Sequence, residues 1–118
     1  MFGVAEDIEL TGLVGRKLQK ISVGTERLEL GFDDGWSLNI ECSWRLEGNA
    51  GLIAEEERST LLDGVDKLTR LVGSTVEFAV PRPPDRIELD FGEQGRLVLI
   101  DDSELFESFS IEPIGIIV

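Results

Sequence analysis

The chain has 118 residues, of which 24 are acidic, 11 are basic and none is histidine, so its formal net charge is −13 at pH 7. This length predicts one domain over residues 1–118 with its own hydrophobic core. The negative charge excludes binding to nucleic-acid phosphates and to anionic lipid, because both need clustered lysine and arginine. The lack of histidine excludes histidine-based catalysis, and a single cysteine excludes an internal disulfide and cysteine-rich zinc sites.

The N-terminal residues MFGVAEDIEL contain neither the basic segment nor the apolar run of a signal peptide. No stretch of the chain approaches the roughly 18 apolar residues of a membrane helix. One unpaired cysteine is typical of a reducing compartment. We therefore expect a cytoplasmic protein that does not bind membranes.

Two similar segments, residues 13–40 and 71–100, organise the chain. Both begin with Leu-Val-Gly and continue with an apolar segment, a polar break, a (Leu/Ile)-Glu-Leu-x-Phe strand, a turn with glycine and another apolar strand. With their flanking residues the repeats span about 13–46 and 71–112. Such self-similarity predicts a duplicated antiparallel β-meander.

Strict alternation marks the first repeat. Between Trp36 and Arg45 every even position is apolar and every odd position is polar, which predicts a strand with one buried face. Residues 28–32 alternate in the same way. Asp-Asp-Gly at 33–35 separates these two strands and predicts a hairpin turn.

Other segments add detail to the predicted sheet. Leu-Val-Leu-Ile at 97–100 is apolar on both faces, which indicates a strand that is central or covered by a helix. A shift of the apolar phase at residues 19–20 predicts a β-bulge. Pro-Arg-Pro-Pro at 81–84 predicts a loop, because prolines donate no ladder hydrogen bonds. Residues 105–111 and 114–118 are predicted to form the last strands.

A helix linking the repeats is predicted over about residues 59–72, closed by Gly73. Its apolar stripe has helical spacing and consists of Leu61, Val65, Leu68 and Val72. The elements together predict a mainly β, α+β fold: a duplicated antiparallel β-meander that forms a curved sheet or open barrel with one helix packed on it. The pattern leaves open whether both repeats lie in one sheet or each contributes half of a barrel.

The candidates for catalysis and metal binding each have a simpler interpretation. The turn at 33–35 lacks the DxDxDG spacing of a calcium loop. Cys42 lies on the apolar face of its predicted strand, and without histidine nothing activates it as a nucleophile. We therefore predict no catalytic residue, no metal site, no cofactor and no enzymatic activity.

Acidic residues concentrate in the C-terminal part of the chain. Residues 73–118 contain ten acidic and three basic side chains, and residues 101–112 contain five acidic side chains and no basic one. Such a surface can steer a basic protein partner. The alternatives are a solubilising surface or, for the densest carboxylates, a cation site. The candidate partner-binding residues are Asp101, Asp102, Glu104 and Glu107 for steering and Trp44 as an aromatic anchor, with core packing as the alternative for Trp44.

Several motifs together resemble a family of small bacterial domains of uncharacterised function. They are Leu-Val-Gly at 13–15 and 71–73, Asp-Asp-Gly-Trp at 33–36, Ile-Glu-Cys-Ser-Trp-Arg at 40–45 and Phe-Glu-Ser-Phe-Ser-Ile at 106–111. That family has no established catalytic residue, so the resemblance implies none here. More loosely, a small acidic α+β protein of this kind is similar to the immunity proteins of bacterial toxin systems.

These observations lead to one preferred hypothesis and two alternatives. The preferred one is a non-enzymatic acidic binding protein, specifically an immunity protein that neutralises a basic toxin domain by occlusion. The first alternative is a β-domain that binds a small ligand or a metal. The second is a homo-oligomeric structural module that pairs through an exposed strand edge.

Overall fold

A computed structural model of the chain describes residues 10–57, 60, 62–101, 109–112 and 116–117. These residues form a mainly β fold with two antiparallel sheets and one short α-helix, and the described strands do not close into a barrel. The strands are β1 (Leu18–Val23), β2 (Leu28–Phe32), β3 (Ser37–Ile40), β4 (Ser43–Gly48), β5 (Gly51–Glu56), β6 (Phe78–Arg82), β7 (Arg86–Asp90), β8 (Arg96–Ile100), β9 (Phe109–Glu112) and β10 (Ile116–Ile117).

Sheet 1 has the order β1-β2-β3-β9-β10, so the short strands β9 and β10 extend a meander of three consecutive strands. Its buried side chains lie opposite one another: Leu30 faces Leu38, Leu28 faces Ile40, and Ile40 faces Phe109. Directly opposite residues of antiparallel strands share a face of the sheet. One face of sheet 1 is therefore apolar and buried.

Sheet 2 has the order β5-β4-β8-β7-β6 and is built on a second meander, β6-β7-β8. Strand β8 lies in the centre, which confirms the prediction from its two apolar faces. Leu97 and Leu99 are buried on the inner face, and Val98 is buried on the outer face between Arg45 and Glu88 of the neighbouring strands.

The alternating segment from Trp36 to Arg45 runs through both sheets. It forms β3 in sheet 1 and β4 in sheet 2, with a break at residues 41–42. The prediction of one continuous strand is therefore wrong, but the predicted buried face is confirmed, because Ile40, Cys42 and Trp44 are all fully buried. The phase persists because the inner faces of both sheets meet in one core.

A single apolar cluster joins the two sheets. It contains Leu30 and Leu38 from sheet 1 and Leu89 and Leu97 from sheet 2, together with side chains from the segments that connect the sheets. The sheets thus pack face to face, with the core between them.

Among the described residues, the helix is shorter than the predicted range of 59–72. The α-helix α1 spans only Val65–Leu68 and continues as a 3-10 turn over Thr69–Leu71. Gly64 precedes it in a turn, and a Cβ atom on Gly64 would lie 3.0 Å from Trp44 Cη2. This close approach, together with the poor helix propensity of glycine, favours a turn there. In the described part of the chain, no helix is long and apolar enough to cross a membrane.

The turn predictions have mixed outcomes. The register of β1 shifts between Leu18 and Lys20, which confirms the bulge. A 3-10 turn over Asp33–Gly35 joins β2 to β3, which confirms the predicted turn, and both Asp34 and Gly35 have positive φ angles. The loop prediction for 81–84 is wrong at Pro81 and Arg82, which belong to β6. An edge strand tolerates proline because its outward N–H needs no partner strand.

The two Leu-Val-Gly segments pair with each other where the two halves of the chain meet. Lys17 lies opposite Thr75 in an antiparallel bridge. Four backbone hydrogen bonds flank it. Each residue of these bonds has a counterpart 58 positions away, and replacing both residues of one bond by their counterparts gives another bond of the same four. The N–H groups of Gly15, Gly73, Leu18 and Val76 donate to the carbonyl oxygens of Val76, Leu18, Ser74 and Arg16 at 2.8, 2.8, 2.9 and 2.9 Å.

Candidate functional site

Trp44, the predicted aromatic anchor, lies in the core. Its side chain is fully buried in β4, a strand that lies between β5 and β8. The expected surface position of Trp44 is therefore wrong, and core packing describes it. The physical reason is the continuous alternation, which keeps Trp44 in phase with Ile40 across the passage from one sheet to the other.

Asp101, the first of the predicted steering residues, follows β8 and is partly exposed. Its backbone N–H donates to the carbonyl oxygen of Asp85 at 2.6 Å, so two carboxylate-bearing residues share this end of sheet 2. The carboxylate of Asp85 lies 3.4 Å from Arg86 Nε. Asp102, Glu104 and Glu107 lie outside the described residues, so their grouping with Asp101 stays a prediction.

A row of side chains crosses the outer face of sheet 2. The pairing register places Leu52, Glu47, Arg96, Asp90 and Phe78 side by side on strands β5, β4, β8, β7 and β6. We call this set the Arg96 row. Its centre is charged, whereas its ends are the exposed side chains of Leu52 and Phe78.

Arg96 holds several carboxylates together without a short contact to any of them. Its guanidinium nitrogens lie 3.8 Å from Glu47, 3.9 Å from Glu88 and 3.7 Å from Asp90. About half of the Arg96 side chain is exposed, so solvent screens these ion pairs. The arrangement balances charge across three strands rather than forming one strong pair.

Two further ion pairs extend this network to both edges of the sheet. Arg45 Nε lies 3.5 Å from Glu55 on β5, and Arg82 Nε lies 3.3 Å from Glu88 on β7. Basic side chains on this face are thus matched by nearby acidic ones. The outer face of sheet 2 is therefore largely neutralised by its own residues.

A shallow cleft of about 100 Å³ opens beside the Arg96 row. Glu47, Asn49, Asp90 and Arg96 contribute its polar lining, and glycines of the adjoining turns complete it. Small-molecule pockets usually have about 300 Å³ or more. The described residues therefore do not favour the small-ligand alternative at this position.

The outermost strands of sheet 2 differ in what their open backbone can do. Strand β6 contains Pro81, which removes a backbone donor from that edge. Strand β5 has six residues and no proline, and among the described residues only β4 is hydrogen-bonded to it. Leu52 on β5 is 57% exposed. Strand β5 is therefore an extended edge with an exposed apolar side chain.

Trp36 belongs to a separate cluster at the turn between β2 and β3. The guanidinium carbon of Arg16 lies 4.8 Å from the centre of the indole ring, a cation–π distance. Arg16 Nη1 also donates to Asp34 Oδ2 at 2.7 Å. Arg16 has its charge and its stacking face engaged within the chain, so this cluster braces the turn.

Cys42 is fully buried, which confirms its predicted place on the apolar face. Within the described ranges, no group of three or more cysteine, aspartate and glutamate side chains is arranged to hold a metal ion.

The sequence-based search for sites did not identify Arg96 or the β5 edge. The signal for Arg96 was present, because alternation in 86–90 places Glu88 and Asp90 on one polar face. Identifying Arg96 as their cross-strand neighbour also requires the pairing of β7 with β8, which a hairpin between these two consecutive strands implies. The β5 edge gave no comparable signal, since residues 51–56 do not alternate.

The chain matches no protein-family model, no curated protein and no solved structure. The resemblance to small bacterial domains and to immunity proteins therefore stays a prediction.

Proposed function

We propose that the chain is a non-enzymatic binding protein that recognises a basic protein, acting as an immunity protein that occludes a basic toxin domain. The observation that carries this proposal is the surplus of carboxylates left after the internal ion pairs are formed. Complementary charge raises association rates and selects partners. A basic toxin domain would be complementary to these unpaired carboxylates, because its active-site cleft would supply the cations that they lack within the chain.

The surplus can be followed residue by residue. Arg58 lies outside the described residues, and of the ten other basic side chains six are within 4.0 Å of a carboxylate. Those six are Arg16, Arg45, Lys67, Arg82, Arg86 and Arg96. Among the described residues, carboxylates that form no ion pair are those of Glu26, Glu29, Asp33, Glu56, Glu57, Asp63, Glu77 and Glu93.

We also propose that the two halves of the chain are copies of one unit. The shared strand plan of the two meanders and the exchange of the four hydrogen bonds around Lys17 and Thr75 support this. Strands β4 and β5 of the first half extend the second meander, and β9 and β10 of the second half extend the first. The outer faces then differ between the copies: sheet 2 has the Arg96 row, whereas sheet 1 presents small polar residues such as Ser37 and Asn39.

The test is capture of partners from lysate of the native cell, followed by kinetics with the purified partner. We expect a basic protein whose association slows as salt is added, because salt screens steering charges. The double reversal Asp101→Lys/Asp102→Lys should slow association more than it accelerates dissociation. Glu29→Lys on sheet 1 provides a control for charge outside this end of sheet 2.

Two results would contradict the proposal. A partner whose binding does not depend on salt would remove charge as the basis of recognition. Unchanged association kinetics in the Asp101/Asp102 variant, measured against Glu29→Lys, would remove the steering role of these two residues.

A further inference from the structure

The β5 edge of sheet 2, which pairs with no strand except β4 among the described residues, gives the proposed partner a place to bind. We propose that β5 binds an extended basic segment of the partner protein, which adds to sheet 2 as a sixth strand. This inference rests on the proposed function, and it specifies both the surface and the kind of segment that the surface recognises.

The first argument comes from the backbone. The other edges of the described sheets are shorter or partly used: β6 contains Pro81, β10 has two residues, and Leu18 at the start of β1 is hydrogen-bonded to Gly73 and Ser74. Strand β5 has six residues without proline, and in the described part of the chain its only strand partner is β4. The β4–β5 register shifts between Leu46 and Glu47, which leaves Ile53 without a register partner on β4. Such an edge is a template for an added strand, whose main-chain hydrogen bonds supply affinity.

The second argument comes from the charges at the end of β5. Glu55 lies opposite Arg45 on the outer face, and Glu56 lies opposite Trp44 on the inner face. Glu57 follows directly. An added strand presents its side chains alternately to both faces. At this end it would meet Glu55, which is half exposed although Arg45 lies 3.5 Å away, and Glu56 and Glu57, which form no ion pair among the described residues. These carboxylates select lysine or arginine at neighbouring positions.

The other end of β5 selects an apolar residue. Leu52 is 57% exposed and lies at the end of the Arg96 row. A cross-strand apolar neighbour would remove part of this side chain from water. The recognised segment therefore combines basic side chains at one end with an apolar side chain at the other.

The same charges argue against a second copy of this chain as the occupant. In an antiparallel pair of β5 strands, Glu55 and Glu56 of each copy would lie near Leu52 and Gly51 of the other, and residues 51–57 contain no basic residue to meet the carboxylates. A parallel pair would place the carboxylates opposite one another, which is destabilising. A basic segment supplies cations at this end of β5, whereas a second copy supplies none.

The experiment uses the full chain, labelled with ¹⁵N, and the synthetic peptide Lys-Lys-Lys-Thr-Val-Thr-Val as the probe, which has basic residues at one end and apolar residues at the other. We expect the peptide to perturb the amide signals of Gly51–Glu56 and to slow their hydrogen exchange. The control peptide has the same sequence with every valine in the D form. It keeps the charge and composition but cannot form a regular pleated strand, so we expect it to leave these amides unprotected.

A pair of protein variants tests the surface itself. Leu52→Arg adds a positive charge to the edge and removes the apolar contact, and we expect peptide binding to weaken about fivefold. Val23→Arg is the matched control, because Val23 is 55% exposed and lies on β1 in the other sheet. We expect it to weaken binding less than twofold, since it shares the added charge alone.

The outcomes separate this inference from the proposed function. If both peptides bind alike and salt weakens both, recognition of basic chains stands and the β5 edge is overturned. If neither binds while a basic partner has been captured, the edge is likewise overturned and the function stands. If β5 amides are protected by the protein alone in a concentration-dependent manner, a second copy occupies the edge and the inference fails.

Discussion

Gly12 and Trp36 show how one missing methyl group holds a turn in place. A Cβ atom on Gly12 would overlap Trp36 Cη2 and would lie 2.8 Å from Cζ3. Arg16 joins the same cluster, because its Nε donates to the carbonyl oxygen of Gly12 at 3.1 Å. The indole thus packs directly on the backbone, and the arginine ties that backbone to the turn containing Asp34.

Gly12→Ala is therefore expected to lower the free energy of unfolding by about 1–3 kcal/mol, the usual cost of forcing extra atoms into a packed site. Urea unfolding monitored by circular dichroism measures it. In a Trp36→Ala background the added methyl group has room, so the same substitution should cost less than about 0.5 kcal/mol. Equal costs in both backgrounds would show that the overlap with Trp36 is not the cause.

The two tryptophans show what could be predicted at the level of residues. Their sequence patterns are equivalent, since both are in phase with the same alternation. Burial of Trp44 followed from that pattern, and the partial exposure of Trp36 did not, because Trp36 lies before β3 at the turn. Exposure at a strand end depends on what the turn packs against, here Gly12 and Arg16, which are remote in sequence.

At the level of elements, the ion pairs of the Arg96 row are expected to contribute little stability at physiological salt. Arg96→Gln should lower the free energy of unfolding by less than about 1 kcal/mol, because the side chain is half exposed and its contacts are long. The loss should grow at low salt, since Glu47, Glu88 and Asp90 would then repel one another without a cation between them.

Urea unfolding of Arg96→Gln at about 20 mM and about 500 mM salt measures this effect, chosen because the Debye length changes severalfold between them. Arg70→Gln serves as the matched control, since Arg70 forms no ion pair with the described residues. A loss that is the same at both salt concentrations would mean that the guanidinium stabilises sheet 2 through packing rather than charge.

The elements themselves were predictable where local chemistry decides them. The turn at 33–35, the bulge near Lys20 and the central position of β8 all followed from short patterns. The helix boundaries did not, because the approach of Gly64 to Trp44 is a tertiary contact that no helical spacing reveals. Pro81 in β6 is similar: an edge strand admits proline, but edge position is a property of the sheet.

At the scale of the whole molecule, the repeat pointed to two meanders, and the structure places them in different sheets. The exchange of hairpins between halves could not be predicted, because the buried faces of β3 and β4 continue one alternation and would suit either sheet. Of the candidate site, the charge was evident from composition, whereas the edge position of β5 depends on that exchange. The repeat as a duplicated unit stays a proposal.

Gly15 and Gly73 provide a direct test of equivalence between the halves. Their φ angles are +87° and +92°, and neither would place a Cβ atom within 4 Å of another residue's atoms. Alanine at either position therefore costs backbone strain alone, about 1–2 kcal/mol.

If the halves are copies related by the Lys17–Thr75 bridge, Gly15→Ala and Gly73→Ala should lower the free energy of unfolding by the same amount within about 0.5 kcal/mol. Gly24→Ala, at a glycine without positive φ and with its nearest atom at 3.5 Å, should cost less than either. A large difference between the first two variants would mean that the two Leu-Val-Gly segments contribute unequally to stability, despite their matching hydrogen bonds.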